Sequence, residues 1–419
     1  MNKSSWRRAD RLRPLQVLAA GLTLLLSNVP GTRALRAAEA EPGRFQVRLE
    51  VVTEGYDGKT CWFHPRAGAM PGKVPTVVLT MQKLNAKRSD VFYPIASLES
   101  PDLGRTWTPI AEHTQTLGRR PLGEHLEEGI SDFTPKWHAA SGKLLATGHT
   151  VVYSNDVLVP VRPRSAVWSV YDPATRAWRP WAKLAMPQEA KFSCGGAGST
   201  QRVDLENGDI LLPFYSKGVG ERAHFSTVLR TRFDGETLRY IEHGTELTVS
   251  TDRGLGEPSL ARFQGRFYLT LRNDRAAYVA VSQDGLHYDP PRKWTFEDGT
   301  DLGSYNTQAH WVTRQDALFL VYTRRGANND NVVRHRAPLF VARIDPARLV
   351  VLRATERELV PNKGAQLGNF AVVDVSEHET WVTTSEGMAA ATAPKFGANG
   401  RVYAARLVWE QSNTAWNEH

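Results

Sequence analysis

A short unit recurs along this chain: a polar turn containing Gly, Asn or Asp is followed at once by an apolar strand. Copies occupy residues 141–146, 206–212 and 264–269, and similar units begin near Asp316 and Glu377. Short apolar runs bounded by turn residues are typical of strands, and their regular repetition predicts small sheets arranged around one axis. With a first unit from about residue 60 to 110, the repeats predict an all-β fold, a six-bladed β-propeller of four-stranded antiparallel blades.

A second motif marks the turns themselves. Residues 100–107, Ser-Pro-Asp-Leu-Gly-Arg-Thr-Trp, match the pattern Ser-x-Asp-x-Gly-x-Thr-Trp, which is called an Asp-box. Residues 282–288 are a degraded second copy, and residues 171–178 keep only the turn and the Trp. Because Asp and Gly favour tight hairpin turns, the motif predicts hairpins between outer strands and by itself indicates no chemistry.

The two ends of the repeat region are expected to meet. The run from Phe45 to Glu50 reads as a strand, and we predict that it joins the last blade, so that no sheet edge stays open. After residue 40, amphipathic helical patterns longer than about ten residues are hard to find. This excludes the α/β classes, which need crossover helices.

The first 40 residues are interpreted as an export signal. The apolar stretch from Leu15 to Leu26 is too short to cross a bilayer comfortably, and Ala38-Glu39-Ala40 fits a small-residue cleavage site. The positive residues ahead of this stretch are Lys3, Arg7, Arg8, Arg11 and Arg13. We therefore predict an exported protein, periplasmic or secreted, with one domain over residues 41–419. An uncleaved membrane anchor is the alternative.

The charge balance argues against nucleic acid as the natural partner. The predicted signal holds seven Lys/Arg and two acidic residues, so its removal lowers the net charge from +8 to +3. A charge this small over a large domain does not suit a polyanion. We also expect no membrane partner once the signal is cleaved.

Residues that carry chemistry lie around one strand. Arg272-Asn273-Asp274-Arg275 ends the apolar run 267–271, fifteen residues after Glu257 and just before the Asp-box-like turn 282–288. A buried arginine needs an anionic partner, because an unpaired buried guanidinium is too costly. That partner could be a substrate carboxylate.

In the order and spacing of these residues, the chain resembles the sialidase (neuraminidase) family of six-bladed propellers over nearly all of residues 41–419. The resemblance implies that three arginines from different blades bind a sugar carboxylate, at Arg66, Arg272 and Arg336. Arg334 or Arg325 could take the place of Arg336. The resemblance further implies that Asp90 is the acid/base, that Glu257 assists catalysis, and that Glu386 orients Arg66.

One position departs from the family. The family's nucleophile is a tyrosine near the C-terminus, and Phe370 occupies its place, sixteen residues before Glu386. A phenyl ring cannot attack an anomeric carbon, so covalent catalysis by that route is lost.

Three functions remain compatible with the residues. The main prediction is hydrolysis of a terminal acidic sugar, with Glu257 as base on a water molecule and Asp90 as acid. The first alternative is β-elimination from a uronic-acid polysaccharide, in which Tyr305 or His310 transfers protons. The second is glycan binding without catalysis. No cofactor is expected, and no metal either, because the histidines lack the spacing of metal ligands.

Overall fold

The strands form six antiparallel sheets in a computed structural model of the protein, which describes residues 43–389 and 392–418. Each sheet is one blade, and the inner strands of the blades surround a central channel. We call the strand next to the channel the first strand of its blade and count the others outward from it. The predicted six-bladed propeller is therefore confirmed. The predicted export signal, residues 1–40, lies outside the described residues.

The first three blades follow one another along the chain, after a first strand that belongs elsewhere, β1 (Phe45–Glu54). Blade 1 consists of β2 (Thr60–Met70), β3 (Thr76–Asn85), β4 (Phe92–Ser100) and β5 (Ala111–Glu112), and a one-turn helix, α1 (Thr114–Leu117), follows it. Blade 2 consists of β6 (Arg120–Gly123), β7 (Leu126–His138), β8 (Lys143–Ser154), β9 (Val157–Leu158), β10 (Ala166–Asp172), β11 (Ala177–Trp178) and β12 (Ala182–Lys183). Blade 3 consists of β13 (Val203–Asp204), β14 (Asp209–Ser216), β15 (Phe225–Phe233) and β16 (Leu238–His243).

The last three blades complete the ring. Blade 4 consists of β17 (Gly256–Phe263), β18 (Arg266–Arg272), β19 (Tyr278–Ser282) and β20 (Arg292–Lys293). Blade 5 consists of β21 (His310–Thr313), β22 (Leu318–Tyr322), β23 (Leu339–Asp345), β24 (Val350–Val351) and β25 (Arg357–Val360). Blade 6 consists of β26 (Ala371–Ser376), β27 (Glu379–Ser385), β28 (Arg401–Trp409) and β1. Short 3-10 turns occupy Ala190–Phe192, Val333–His335, Arg353–Thr355, Ala393–Phe396 and Thr414–Glu418.

Two blades depart from the predicted four strands. Blade 2 has seven strands and blade 5 has five. In blade 2 the cause is the length of β7 and β8, which have 13 and 12 residues and extend past the blade to pair with the short strands β6 and β9. The five predicted turn-and-strand units lead into β8, β14, β18, β22 and β27. Counted outward from the channel, each of these is the second strand of its blade, in blades 2 to 6.

The core lies between the blades. One buried apolar cluster joins blades 4 and 5 around Trp294 and Trp311, and another joins blades 5 and 6 around Phe319 and Trp409. Similar clusters fill the other four interfaces. Because such burial contributes about 25 cal/mol per Å² of apolar surface, the blades stabilise one another, which fixes where each first strand begins.

The channel widens at one end into a cavity of about 330 Å³, lined by Trp137, Lys136, Trp311, Asp374 and Trp416 among others. The residues singled out from the sequence lie toward the other end of the channel. We call that end the mouth. Over the described ranges, none of the helices has the length and apolar character needed to span a membrane.

Candidate active site

The mouth gathers one or more polar groups from every blade. Four of them precede or begin the first strand of their blade. The other two, Arg66 and Asp132, lie midway along β2 and β7, at the register shift that each of these strands contains. From blade 1 to blade 6 these residues are Arg66, Asp132, Ser199, Glu257, His310 and Phe370. Arg272, at the end of β18, and Arg336, which precedes β23, join them.

Arg272 and Glu257 form an ion pair at the mouth. The guanidinium of Arg272 donates to the Glu257 carboxylate and to the side-chain oxygen of Asn306. The Arg272 side chain is 14% exposed and that of Glu257 19%. Burial acts to raise the pKa of Glu257, but the charge and hydrogen bond of Arg272 outweigh it, so the pKa is lowered. Glu257 is thus ionised at neutral pH.

Arg336 lies next to this pair. Its guanidinium donates to the backbone oxygen of Asn306, so Asn306 connects the two arginines. The side chain is buried against Gly368, where a Cβ would come within 2.6 Å of Arg336 Cδ. Burial, together with the nearby charges of Arg272 and Arg334, lowers the pKa of Arg336 to about 9. Among the described residues, no carboxylate lies within ion-pair distance of Arg336, and its Nε has no hydrogen-bond partner.

Arg66 is held differently from the sequence prediction. It is fully buried, and its guanidinium donates to the Asp132 carboxylate, to Ser199 Oγ (3.2 Å) and to the backbone oxygen of Phe370 (3.2 Å). The carboxylate that orients Arg66 is therefore Asp132 and not Glu386, because Asp132 is brought alongside it by β7 of the next blade. With no exposed surface, Arg66 offers no donor to a ligand in this arrangement.

Asp132 is the centre of a buried polar cluster that the sequence did not reveal. Besides Arg66, its carboxylate accepts from Ser199 Oγ (2.7 Å) and lies 3.3 Å from His64 Nε2 and 3.8 Å from His149 Nε2. Burial acts to raise the pKa of Asp132, but His64 and Arg66 hold it well below its usual range. The His149 ring fits here because residues 196 and 198 are glycines, where a Cβ would overlap it.

Glu386 has other partners. One of its oxygens accepts from the backbone N–H groups of Asn399, Gly400 and Arg401, at 2.8 to 3.0 Å. The other accepts from Tyr403 Oη at 2.7 Å. All of these lie in blade 6, where Glu386 fixes the turn that leads into β28.

Phe370, at the position that the sequence resemblance gives to the tyrosine nucleophile, immediately precedes the first strand of blade 6. Its ring is fully buried and meets the His310 ring edge to face, with centroids 5.2 Å apart. Its backbone oxygen accepts from Arg66 and from Gln308 Nε2. His310 donates or accepts at Ser259 Oγ (2.7 Å), and burial together with Arg66 lowers the pKa of His310 to about 3. His310 is therefore uncharged at neutral pH and packs among the buried residues of the site.

Asp90 is at the rim of the mouth. Its side chain is 49% exposed and faces Arg162 at 3.5 Å. Burial lowers the pKa of Arg334 and of Arg336, and the negative charge of Asp90 acts in the opposite direction on both. The half-exposed carboxylate of Asp90 is open to solvent, unlike that of the buried Asp132.

Tyr305 precedes Asn306, the residue that contacts Arg272 and Arg336. Its hydroxyl is 2.6 Å from His335 Nδ1, and the guanidinium carbon of Arg325 lies 4.3 Å from the centre of its ring. A second tyrosine, Tyr215, packs against Gly256 and accepts from Arg164, and burial raises its pKa to about 12.

Sequence reasoning missed Asp132, His149, Ser199, Asn306 and His335. One signal was present: the segment Gly195-Gly196-Ala197-Gly198-Ser199 marks a place where backbone and side chains approach closely. No local pattern marks Asp132, because its partner Arg66 is 66 residues away in the sequence.

Several solved structures share this architecture. The sialidase of Trypanosoma rangeli superimposes with a TM-score of 0.54 at 13% sequence identity, covering 87% of this chain and 59% of that one. The NanB sialidase of Streptococcus pneumoniae gives 0.56 at 10% identity, covering 86% and 70%. The leech intramolecular trans-sialidase gives 0.54 at 10% identity, covering 88% and 70%. No protein-family model matches the sequence, and no curated protein matches it.

The fold is that of the sialidases. At sequence identities of 10% to 14%, this similarity concerns the fold alone. A T. rangeli sialidase structure in complex with sialic acid is among the matches. Over residues 43–389 and 392–418, no cluster of His, Cys, Asp and Glu has the arrangement of a metal site.

Proposed function

We propose that the protein binds a terminal acidic sugar by its carboxylate at the mouth and hydrolyses the glycosidic bond. The observation that carries the proposal is Arg336: a buried cation beside Arg272, with no described carboxylate to neutralise it. A desolvated guanidinium is costly unless an anion meets it. A bidentate carboxylate between two arginines satisfies this requirement.

The chemistry follows from what surrounds this pair of arginines. Phe370 leaves no hydroxyl for a covalent intermediate at that position. A single displacement by water then needs a base and an acid, as in inverting glycosidases. Ionised Glu257 is the base that accepts the proton of the water, and Asp90, exposed at the rim, gives a proton to the leaving oxygen. Arg66 is buried and stabilises the site through its hydrogen bonds to the Asp132 carboxylate and the Phe370 backbone oxygen.

The binding part is tested by replacing Arg336. For Arg336→Ala we expect affinity for sialic acid and glucuronic acid to fall by about 100-fold, since a charge-assisted pair in a desolvated site is worth roughly 3 kcal/mol. Calorimetric titration measures this. Arg239→Ala is the matched control, because Arg239 lies on the outer strand β16 and pairs with Asp234. Equal affinity of Arg336→Ala and the parent protein would refute the assignment.

The catalytic part is tested with sialosides of different linkage, following the release of free acidic sugar. We expect Asp90→Asn and Glu257→Gln each to lower the rate by 10²-fold or more, the usual range for acid and base groups. Glu386→Gln serves as the comparison, because its carboxylate binds only within blade 6. Tight binding with no released sugar would contradict hydrolysis and leave a glycan-binding propeller.

A further inference from the structure

A hydrogen-bonded chain of three side chains crosses the rim of the mouth. Tyr305 Oη lies 2.6 Å from His335 Nδ1, and His335 Nε2 lies 3.1 Å from a carboxylate oxygen of Asp330. A carboxylate only accepts, so Nε2 carries the ring proton and Nδ1 is the acceptor. Tyr305 must therefore donate to His335. A phenol in this position can pass its proton to the imidazole and become a base.

The chain is placed next to the two arginines. Asn306, the residue after Tyr305, accepts from Arg272 with its side chain and from Arg336 with its backbone. Tyr305 is therefore adjacent in the chain to the residue that both arginines contact. The guanidinium of Arg325 is stacked over the Tyr305 ring, 4.3 Å from its centre, and holds the ring in place.

The backbone around the chain is strained. Asn306, Arg334 and His335 all have φ between +48° and +59°. Side chains with a Cβ disfavour this region, and such residues persist where the surrounding structure holds them, often at functional sites. Here the positive φ values occur at the residue that contacts both arginines and at the two residues before Arg336.

The same three-part chain occurs once more, which allows a comparison. On the outer strand β16, Tyr240 Oη lies 2.8 Å from His243 Nδ1, and His243 Nε2 lies 3.3 Å from Glu246. None of these three residues has a positive φ, and the pair lies on the blade's outer strand, away from the channel. The hydrogen bonds alone are therefore structural, and it is the position beside the arginines that singles out Tyr305.

We propose that the mouth catalyses a second reaction, β-elimination in a 4-linked uronic-acid glycan, with Tyr305 as the catalytic base. The proposal shares the carboxylate-binding arginines of the proposed function but not its acid and base. The substrate decides which reaction occurs. In a uronic acid the carbon that bears the carboxylate also bears a hydrogen, whereas in a sialoside that carbon is the anomeric centre and has none.

The step balances as follows. Tyr305 gives its proton to His335 Nδ1 and takes the hydrogen at C5 of the sugar. The electrons of that C–H bond form the C4–C5 double bond, and the C4–O bond breaks. The leaving oxygen takes a proton from water at the open mouth, and His335 returns its proton to solvent. Arg272 and Arg336 lower the cost of the negative charge that develops on the carboxylate.

The test uses polygalacturonate, polymannuronate and glucuronan as probes, with the purified protein. We expect ultraviolet-absorbing unsaturated ends from at least one of them. Tyr305→Phe and His335→Gln should lower that rate by 10²-fold or more with little change in KM. Tyr240→Phe and His243→Gln, the matched pair on β16, should keep the parent rate. All four variants should keep the parent melting temperature, which separates loss of the base from loss of the fold.

The outcomes separate this proposal from hydrolysis. Sialoside cleavage measured in parallel should survive Tyr305→Phe, and both reactions should be lost in Arg336→Ala. Absence of unsaturated ends with all three probes overturns the elimination whether or not sialosides are cleaved. So does a Tyr305→Phe variant that forms them at the parent rate. A failure of sialoside cleavage alone overturns only the hydrolysis.

Discussion

Asp132 is the residue on which most of the buried charge at the mouth depends. It is the only described carboxylate in ion-pair contact with Arg66, which has no exposure, and it also contacts two histidines and Ser199. Removing one member of a buried ion pair costs far more than the pair contributes, because the remaining charge is left unpaired. Asp132 is therefore a structural residue on which the geometry of the site depends.

We expect Asp132→Asn to lower the free energy of unfolding by about 3 to 5 kcal/mol at neutral pH. The folded-state pKa of Asp132 lies well below its unfolded value, so its contribution is complete above about pH 4 and is lost as the pH falls below that value. Urea unfolding at neutral and acidic pH measures both effects. The gap between parent and variant should narrow on acidification. A gap that widened would contradict this account.

The matched control for this substitution is Asp289→Asn. Asp289 is exposed, at the end of the second Asp-box-like turn, and its side chain makes no hydrogen bond or ion pair within the part of the chain that the structure describes. Its replacement should leave stability unchanged at both pH values.

At the scale of elements, the Asp-box turns show how local chemistry fixes a hairpin. In the first, Ser100 Oγ accepts from the backbone N–H of Gly104 at 2.6 Å, and Asp102 accepts from Thr106 N at 2.8 Å. Trp107 then packs against Trp381 of blade 6. In the second, Ser282 Oγ accepts from Gly285 N at 2.9 Å. Each buried serine thus satisfies a turn N–H that has no strand partner.

Ser100→Ala and Ser282→Ala should each lower the free energy of unfolding by about 1 to 2 kcal/mol, because each leaves a turn N–H without its acceptor. Chemical denaturation measures the change. Thr53→Ala is the control, since among the described residues the Thr53 hydroxyl makes one long hydrogen bond, to the backbone oxygen of Glu54 at 3.4 Å. Losses no larger than in the control would show that these turns form without their serines.

The elements that the sequence predicted are those with local signals. In blades 2 to 6 the second strand follows a short polar turn, and both Asp-box hairpins lie where their motifs predict them. The extra strands of blade 2 are two to four residues long, and their pairing depends on the neighbouring strand rather than on their own residues. The Arg66–Asp132 contact joins two blades, so no periodicity could predict it.

For the whole molecule, the position of β1 decides whether the propeller is a closed ring. The predicted pairing of the first strand with the last blade is confirmed: β1 runs antiparallel to β28 from Phe45 opposite Trp409 to Glu54 opposite Arg401. The mouth also depends on the interface of this last blade with blade 1, because Arg66 of blade 1 donates to the backbone oxygen of Phe370 in blade 6 and Thr383 donates to the backbone oxygen of Pro65 at 2.7 Å.

Phe45 also connects the β1–β28 pair to blade 5. Its ring contacts Phe319 and Trp409 edge to face, at 5.7 Å and 5.4 Å, and its backbone oxygen accepts from Arg357 at 2.7 Å. Phe45→Ala should therefore lower the free energy of unfolding by about 3 to 5 kcal/mol. Phe396→Ala, at a ring that is 51% exposed, is the matched control and should change it little.

Deleting residues 1–54 tests closure directly, with deletion of residues 1–42 as the form that keeps β1. Without β1, β28 becomes an edge strand with unpaired N–H and C=O groups, which promotes pairing with other copies. We expect the longer deletion to melt at a lower temperature and to form larger species in light scattering, and to lose affinity for acidic sugars as the interface of the last blade with blade 1 loosens. If both deletions have the same size in solution, melt at the same temperature and bind acidic sugars alike, ring closure does not govern the mouth.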